Sequence, residues 1–233
     1  MIKNKSRGFI FFSKKIKDND LYIRVLSSND EIDSGIVFGG NSSKKKLTYQ
    51  NGYFIEYTVS KKNESSPPVF LAELSKPYIG NIYNDKYKMN AYLSILSIIN
   101  LSILEGQKIK DFFNDVETLI NKIINQNHWI ISYFVWLFNL LKIIGYEVDY
   151  KNNAEKKYYN ILEQKFTNQL TSSSIEFPHK LFIEFKHINH DNIKTIFLIF
   201  ESIYIKNHLD NINYKMPVNF INFKNMIIRR LKS

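Results

Sequence analysis

The chain has 233 residues, enough for one large domain or two small ones, and its 44% hydrophobic and 23% charged residues are typical of a globular protein. It contains no cysteine, which excludes disulfides, zinc ribbons and thiol nucleophiles and fits a reducing compartment. The net charge of +10 favours phosphate-rich or other anionic partners. Residues 1–80 carry 13 Lys and Arg against 8 Asp and Glu, so this third of the chain is the more densely basic part.

The first 79 residues have the pattern of a small β-barrel. Short runs with alternating apolar residues and many aromatic or β-branched side chains are separated by polar turns, which is the signature of strands. The predicted strands are Gly8–Lys15, Asp20–Ser27, Ser34–Gly40, Gly52–Ser60 and Pro68–Ser75. Five short strands in about 70 residues match an OB-fold, which we rank ahead of an SH3-like barrel. A closed barrel also leaves no exposed sheet edge.

After residue 80 the periodicity becomes helical. Apolar residues recur at three- and four-residue spacings, and Gly106 follows the first run. The predicted helices are Asn84–Glu105, Lys110–Gln126, Trp129–Ile144, Asp191–Leu209 and Val218–Leu231, and residues 151–189 are predicted to be irregular. The expected architecture is therefore α+β with two domains: an OB-fold at 1–79, packed on an all-α domain at 80–233.

No segment has the character of a targeting or membrane element. The basic N-terminus lacks an apolar core long enough for a signal peptide. The most apolar run, Trp129–Gly145, is shorter than the roughly 20 residues of a spanning helix and includes Asn139 and Lys142. These observations predict a cytoplasmic protein without membrane contact.

Catalytic motifs are absent from the sequence. It contains no GxxxxGK[ST], GxGxxG or GxSxG pattern. His187 and His190 are three residues apart but lack an acidic or cysteine partner at metal-ligand spacing. Turn chemistry explains the acidic residues beside the strands better than a catalytic carboxylate pair does. We therefore expect no catalytic residue, no metal and no cofactor.

The binding signal is stronger and is concentrated in the stretch FGGNSSKKKLTYQ. Lys44, Lys45 and Lys46 follow paired glycines in a loop between strands, and Lys14, Lys15, Lys61 and Lys62 lie near other strand ends. An OB-fold binds single strands with a cationic groove and stacking aromatic rings. The predicted nucleic-acid-binding residues are Arg24, Lys44, Lys45, Lys46, Tyr49 and Gln50. The alternative is that these lysines only solubilise loop tips and that Tyr22 and Tyr49 pack against neighbours.

Several segments, in the right order, resemble the bacterial DNA repair protein RecO family. Gly8–Val59 is similar to that family's N-terminal domain, and Gly35–Gly52 matches its segment with paired glycines, a basic loop and a glutamine. YFVWLFNLLKIIGYEVDY at Tyr133–Tyr150 is similar to a signature of the family's helical domain. The helix sequence NFKNMIIRRL near the end of the chain adds to the resemblance.

The resemblance implies a recombination mediator of the RecF pathway rather than an enzyme. Such a protein binds single- and double-stranded DNA, anneals complementary strands without ATP, and acts with RecR to load recombinase. Its further partner is the C-terminal tail of single-strand DNA-binding protein, and it is cytoplasmic and nucleoid-associated. Many members carry four cysteines as a zinc site after the lGy helix, so this chain resembles a zinc-less variant.

Three other functions stay open at this stage. The first is an RNA-binding OB-fold module with a helical interaction domain. A hydrolase or transferase built on the turn carboxylates is the second, and it requires those carboxylates to converge in a pocket. The third is an interaction protein whose basic charge is only solubilising.

Overall fold

The computed structural model describes residues 5–184 and 188–232. The chain forms two compact units, Met1–Asn125 and Gln126–Ser233. The first contains a β-barrel and two helices, and the second contains the remaining helices and a small sheet. The domain division at residues 79 and 80 rests on the change from strands to helices, and it stays a prediction.

Five strands close the barrel in the order β1-β2-β3-β5-β4, and all neighbouring pairs but one are antiparallel. Their bounds are Ser6–Lys17 for β1, Asp20–Ser27 for β2, Ile32–Val37 for β3, Phe54–Ser60 for β4 and Val69–Lys76 for β5. A single parallel pair, Ile36 with Val69, joins β3 to β5 and closes the ring. This strand order is that of an OB-fold, and with the helices that follow it confirms the predicted fold class.

The apolar residues that alternate along the predicted strands fill the barrel interior. Leu21, Ile23 and Val25 of β2 are all buried in one core cluster, with the side chains of β1, β3, β4 and β5 around them. Successive residues of a strand point to opposite sides of the sheet, so Tyr22 and Arg24 lie on the outer face. The third strand ends earlier than predicted, at Val37, which leaves Phe38, Gly39 and Gly40 in the loop that follows.

Two helices pack against the barrel within the first unit: α1 at Lys86–Ser102 and α2 at Phe112–Asn125. Phe54 of β4 is fully buried because it faces these helices, with its ring centroid 5.9 Å from that of Phe113. Gly52 adopts φ +89°, and a Cβ there would lie 2.4 Å from the Tyr92 ring, so only glycine fits. The barrel and these helices therefore share one core.

The ends of α1 and α2 differ from the predicted ones for local reasons. Helix α1 begins at Lys86 because the Asp85 carboxylate accepts from the backbone N–H groups of Tyr87 and Lys88. It ends four residues before Gly106, since Ile103 is already extended. The start of α2 is capped from the β2–β3 turn, where the Asp30 carboxylate accepts from the N–H groups of Asp111 and Phe113 at 2.7 and 2.9 Å.

The second unit is mostly helical but contains a sheet that the sequence did not predict. Its helices are α3 at Trp129–Ile143, α4 at His179–Ile183, α5 at His190–Tyr204 and α6 at Val218–Lys232. A π-helical turn, Ile205–Leu209, replaces the last part of the helix predicted to Leu209. The interpretation of residues 151–189 as irregular is wrong. They include β6 at Tyr158–Asn160, β7 at Lys165–Thr167 and β8 at Ser174–Glu176, in the order β7-β6-β8, as well as α4.

An aromatic cluster orders this segment. Phe177 is 3% exposed, and its ring centroid lies 5.0 Å from that of Phe166 and 5.7 Å from that of Phe182. Phe138 of α3 and Tyr150 stack on the same group. Three-residue strands have too few ladder hydrogen bonds to be stable alone, so the cluster supplies the burial that holds them.

Among the described helices, none has both the length and the apolar character needed to cross a bilayer. Helix α3, which contains most of the apolar run, is a 15-residue core helix. His187 lies outside the described residues, and His190 contacts the carboxylate of Asp191 at 2.9 Å. No group of three metal-ligating side chains occurs in residues 5–184 and 188–232.

Candidate nucleic-acid interface

The loop between β3 and β4 is a chain of tight turns fixed to the β1–β2 turn. The N–H of Asn41 donates to the carbonyl of Asn19, and the N–H of Gly39 donates to the Asp20 carboxylate, both at 2.7 Å. Gly39 adopts φ +63°, a left-handed conformation that favours glycine. The N–H groups of Lys45 and Lys46 close turns onto the carbonyl of Ser42. The loop therefore holds its lysines beside the end of β1.

A groove of about 370 Å³ lies between this loop and the barrel. We call it the basic groove. It is lined by Ser13, Lys15, Leu21, Asn41, Lys46, Tyr49, Gln50 and Asn51. Of the predicted residues, the structure brings Lys46, Tyr49 and Gln50 together here. It adds Lys15, which the sequence indicated only as a lysine near a strand end.

The lysines around the basic groove lack carboxylate partners. Lys14, Lys15, Lys17, Lys44 and Lys46 are exposed and form no ion pair with any described residue. Elsewhere in this unit, four cations are neutralised by the pairs Lys5–Glu56, Arg7–Glu117, Lys76–Glu117 and Lys108–Glu31. Other exposed lysines, such as Lys61 and Lys62, also form no ion pair with a described residue. Lys15 and Lys46 therefore bring unpaired positive charge to the lining of the basic groove.

Lys45 has a different contact from its two neighbours. Its Nζ donates to the carbonyl of Phe38 at 3.0 Å, so this side chain links the middle of the loop to the residue that follows β3. The ammonium still lies at the surface and keeps its charge available to an anion. Lys44, Lys45 and Lys46 are thus all exposed, and their role as nucleic-acid contacts stays a prediction.

Arg24 is engaged in a structural contact. Its guanidinium donates to Oδ1 and the carbonyl of Asn100 at 2.7 and 3.0 Å, and to the carbonyl of Ile103 at 2.8 Å. These are acceptors at the C-terminal end of α1, where a cation is favourable. The guanidinium also lies 4.9 Å from the ring centroid of Phe11, and burial lowers its pKa. A role of Arg24 in binding nucleic acid stays a prediction.

Tyr49 lies in the barrel core, although its side chain also lines the groove. It is 3% exposed, and its hydroxyl accepts from the N–H of Ala72 at 2.9 Å. This bond occurs on the side of β5 where the ladder to β3 is limited to the single pair of Ile36 and Val69. Burial raises the pKa of the Tyr49 hydroxyl. Tyr49 therefore completes the barrel wall, as the packing alternative proposed, and its predicted contact with nucleic acid stays untested.

Replacing Tyr49 with phenylalanine separates packing from binding. We expect Tyr49→Phe to lower the free energy of unfolding by about 1–3 kcal/mol, because the half-buried N–H of Ala72 loses its acceptor. The affinity of the folded protein for DNA should stay within twofold of wild type. Urea unfolding and fluorescence anisotropy measure the two quantities. An unchanged stability would contradict the role in closing the barrel.

The sequence reasoning missed the aromatic side chain that is accessible beside the lysines. Phe38 was assigned to a strand, but it lies in the loop and is 55% exposed. Leu47, which directly follows the three lysines in the sequence, is 61% exposed. The double glycine directly after Phe38 was a signal that the strand ends there, because glycines are punctuators of strands.

Most acidic side chains at or beside the barrel turns make contacts that stabilise the fold. Asp20 binds the loop backbone and Asp30 caps α2. Asp33 accepts a hydrogen bond from the Tyr57 hydroxyl, and burial raises the pKa of this carboxyl. Asp20, Asp30 and Asp33 thus make structural contacts, as expected for acidic residues at turns, whereas the carboxylate of Asp18 forms no hydrogen bond or ion pair with a described residue.

These features define a class: an OB-fold protein with a basic groove at its β3–β4 loop and a helical region after the barrel. No protein-family profile matches the chain. Among curated proteins it is 30% identical over 148 residues to the DNA repair protein RecO of Rickettsia bellii, 63% of this chain and 60% of that protein. It is 28% identical over 145 residues to the RecO proteins of Rickettsia canadensis and Rickettsia akari.

The resemblance to RecO read from the sequence motifs is therefore confirmed. The matched part is about 62% of this chain, and it spans about three fifths of the length of these relatives.

Proposed function

We propose that this protein is a RecO-type DNA repair and recombination mediator, cytoplasmic and nucleoid-associated. In this role it binds single- and double-stranded DNA, anneals complementary strands without ATP, and acts with RecR to load recombinase onto strands coated with single-strand DNA-binding protein. The observation that carries the proposal is the cluster of unneutralised lysines at the basic groove. The similarity to proteins named DNA repair protein RecO supports it.

The chemistry of annealing suits such a surface. Two phosphate backbones repel each other, and lysines that displace their counterions remove this barrier. Contacts to phosphates carry no sequence information, so the protein can anneal complementary strands of any sequence. Lys44, Lys45 and Lys46 are the proposed phosphate contacts, with Gln50 beside them. No covalent chemistry is required, which agrees with a mediator that has no catalytic turnover.

A pocket in the second unit supports the proposed contact with the tail of single-strand DNA-binding protein. It has a volume of about 180 Å³ and is lined by Asn127, Trp129, Ile130, Ile188, Ile227, Arg230 and Leu231. The lining is mostly apolar, and Arg229, Arg230 and Lys232 make the last turn of α6 basic. An acidic tail that ends in apolar residues has the complementary chemistry for such a pocket.

The test is annealing of two complementary oligonucleotides precoated with their single-strand DNA-binding protein, followed by fluorescence. No nucleotide is added, and the ionic strength is varied. We expect the protein to accelerate annealing, and the acceleration to decline as salt rises because the lysine contacts are screened. Tight DNA binding without acceleration would reduce the protein to a nucleic-acid-binding module.

The same reagents test the RNA-binding alternative. An RNA of the same sequence is added as competitor, since the 2′-hydroxyl is what distinguishes the two ligands. A preference for RNA would favour the OB-fold RNA-binding module over the repair mediator. Absence of binding to either would leave the lysines as solubilising residues.

A further inference from the structure

The wall of the basic groove is polar in a way that phosphate binding alone does not need. Asn41, Gln50 and Asn51 line it with side-chain amides, and Ser13 adds a hydroxyl. None of these four side chains forms a hydrogen bond with any described residue. Each amide presents two donors and an acceptor, so the groove offers hydrogen bonds that the protein itself leaves unused.

The two buried lining residues are apolar. Leu21 and Tyr49 are 6% and 3% exposed, and both belong to the barrel core. Lys15 from β1 and Lys46 from the loop complete the lining with positive charge. An apolar base, a polar wall and charged ends are the composition of a small-ligand site, and the volume of about 370 Å³ lies in the usual range for one.

We propose that the basic groove binds one unpaired nucleotide of a DNA strand, with its base against the amides of Asn41, Gln50 and Asn51 and its phosphates near Lys15 and Lys46. This inference rests on the proposed function and adds the form of DNA that the site selects. A base in a duplex has its Watson–Crick edge occupied and is stacked between neighbours, so it does not enter the groove. The site therefore prefers single strands.

Recognition by amides is tolerant of sequence. A carboxamide can turn its acceptor or its donors towards a base edge, so each of the four bases finds a complement. The groove therefore binds a strand with unpaired bases more tightly than an abasic strand, and its affinity depends little on which base is present. This property suits an annealing protein, which must hold single strands of any sequence.

The test compares three fluorescent ligands by anisotropy at one salt concentration. They are a single strand of about 12 nucleotides, within the site sizes of OB-folds, an abasic strand of the same length and charge, and a duplex. We expect wild type to bind the normal strand about 10-fold more tightly than the abasic strand, because bases add hydrogen bonds to equal phosphate contacts. In the double variant Asn41→Ala/Asn51→Ala, that preference should fall to less than threefold.

A matched control is the double variant Asn29→Ala/Asn114→Ala, which removes two exposed asparagines of the same unit that do not line the groove. It should keep the full preference for the normal strand. Equal binding of normal and abasic strands by wild type, or an unchanged preference in Asn41→Ala/Asn51→Ala, would overturn this inference alone. Absence of binding to all three ligands would overturn the proposed function as well.

Discussion

Reversing the three loop lysines should weaken DNA binding by roughly 100-fold at low salt, since each lysine then repels a phosphate that it had neutralised. The variant is Lys44→Glu/Lys45→Glu/Lys46→Glu. The slope of log affinity against log salt for a single strand should become shallower by about 2, because each lost contact removes about 0.7. The loss should be similar for oligonucleotides of different sequence. Titration by anisotropy at several salt concentrations measures both effects.

A control of equal charge change tests the location. Lys61 and Lys62 are exposed in the β4–β5 loop and do not line the basic groove. We expect Lys61→Glu/Lys62→Glu to change affinity by less than fivefold, whereas Lys44→Glu/Lys46→Glu keeps most of the effect of the triple variant. If the two double variants weaken binding equally, the effect is one of overall charge and the β3–β4 loop has no special role.

The largest loss of stability is expected from Phe177→Ala. Truncation of this buried ring should lower the free energy of unfolding by about 3–5 kcal/mol, because it removes burial and leaves a cavity in the aromatic cluster. The exposed Leu170→Ala, in the same segment, should change it by less than about 0.5 kcal/mol. Urea unfolding monitored by circular dichroism measures both variants.

The same experiment tests whether a metal orders residues 151–184. Because aromatic packing supplies the burial there, we expect a chelator to leave the unfolding midpoint of wild type unchanged. A destabilisation by chelator, or a loss below 1 kcal/mol in Phe177→Ala, would show that the cluster does not hold the segment. The resemblance to a family in which many members carry a zinc site makes this comparison informative.

The secondary structure of the first unit could be predicted well because its signals are local. The alternation of apolar residues predicted β2 with its observed bounds, Asp20–Ser27, because the buried side chains of a strand recur at every second residue. The start of α1 was missed by two residues because Asp85, rather than a residue before it, provides the cap. The strands β6, β7 and β8 were missed because three residues are too few to show a period.

The candidate site was only partly accessible to the same reasoning. Lys44, Lys45 and Lys46 stand out as a run of like charge after paired glycines. Whether a cation is paired depends on contacts between distant residues, and nothing local in the sequence indicates that Arg24 binds the end of α1, 76 residues away. Tyr49 appeared suitable for stacking by residue type, but the fold directs it into the barrel.

The sequence by itself determined the barrel-then-helix order, the basic character of the β3–β4 loop and the similarity to RecO, because periodicity, charge and motif order are properties of neighbouring residues. Only the tertiary structure decided which lysines stay unneutralised, that Lys15 joins Lys46 in one groove, and that aromatic rings order residues 151–184. These outcomes depend on the closure of the barrel and on packing across the chain, which bring together residues whose separation in sequence carries no signal.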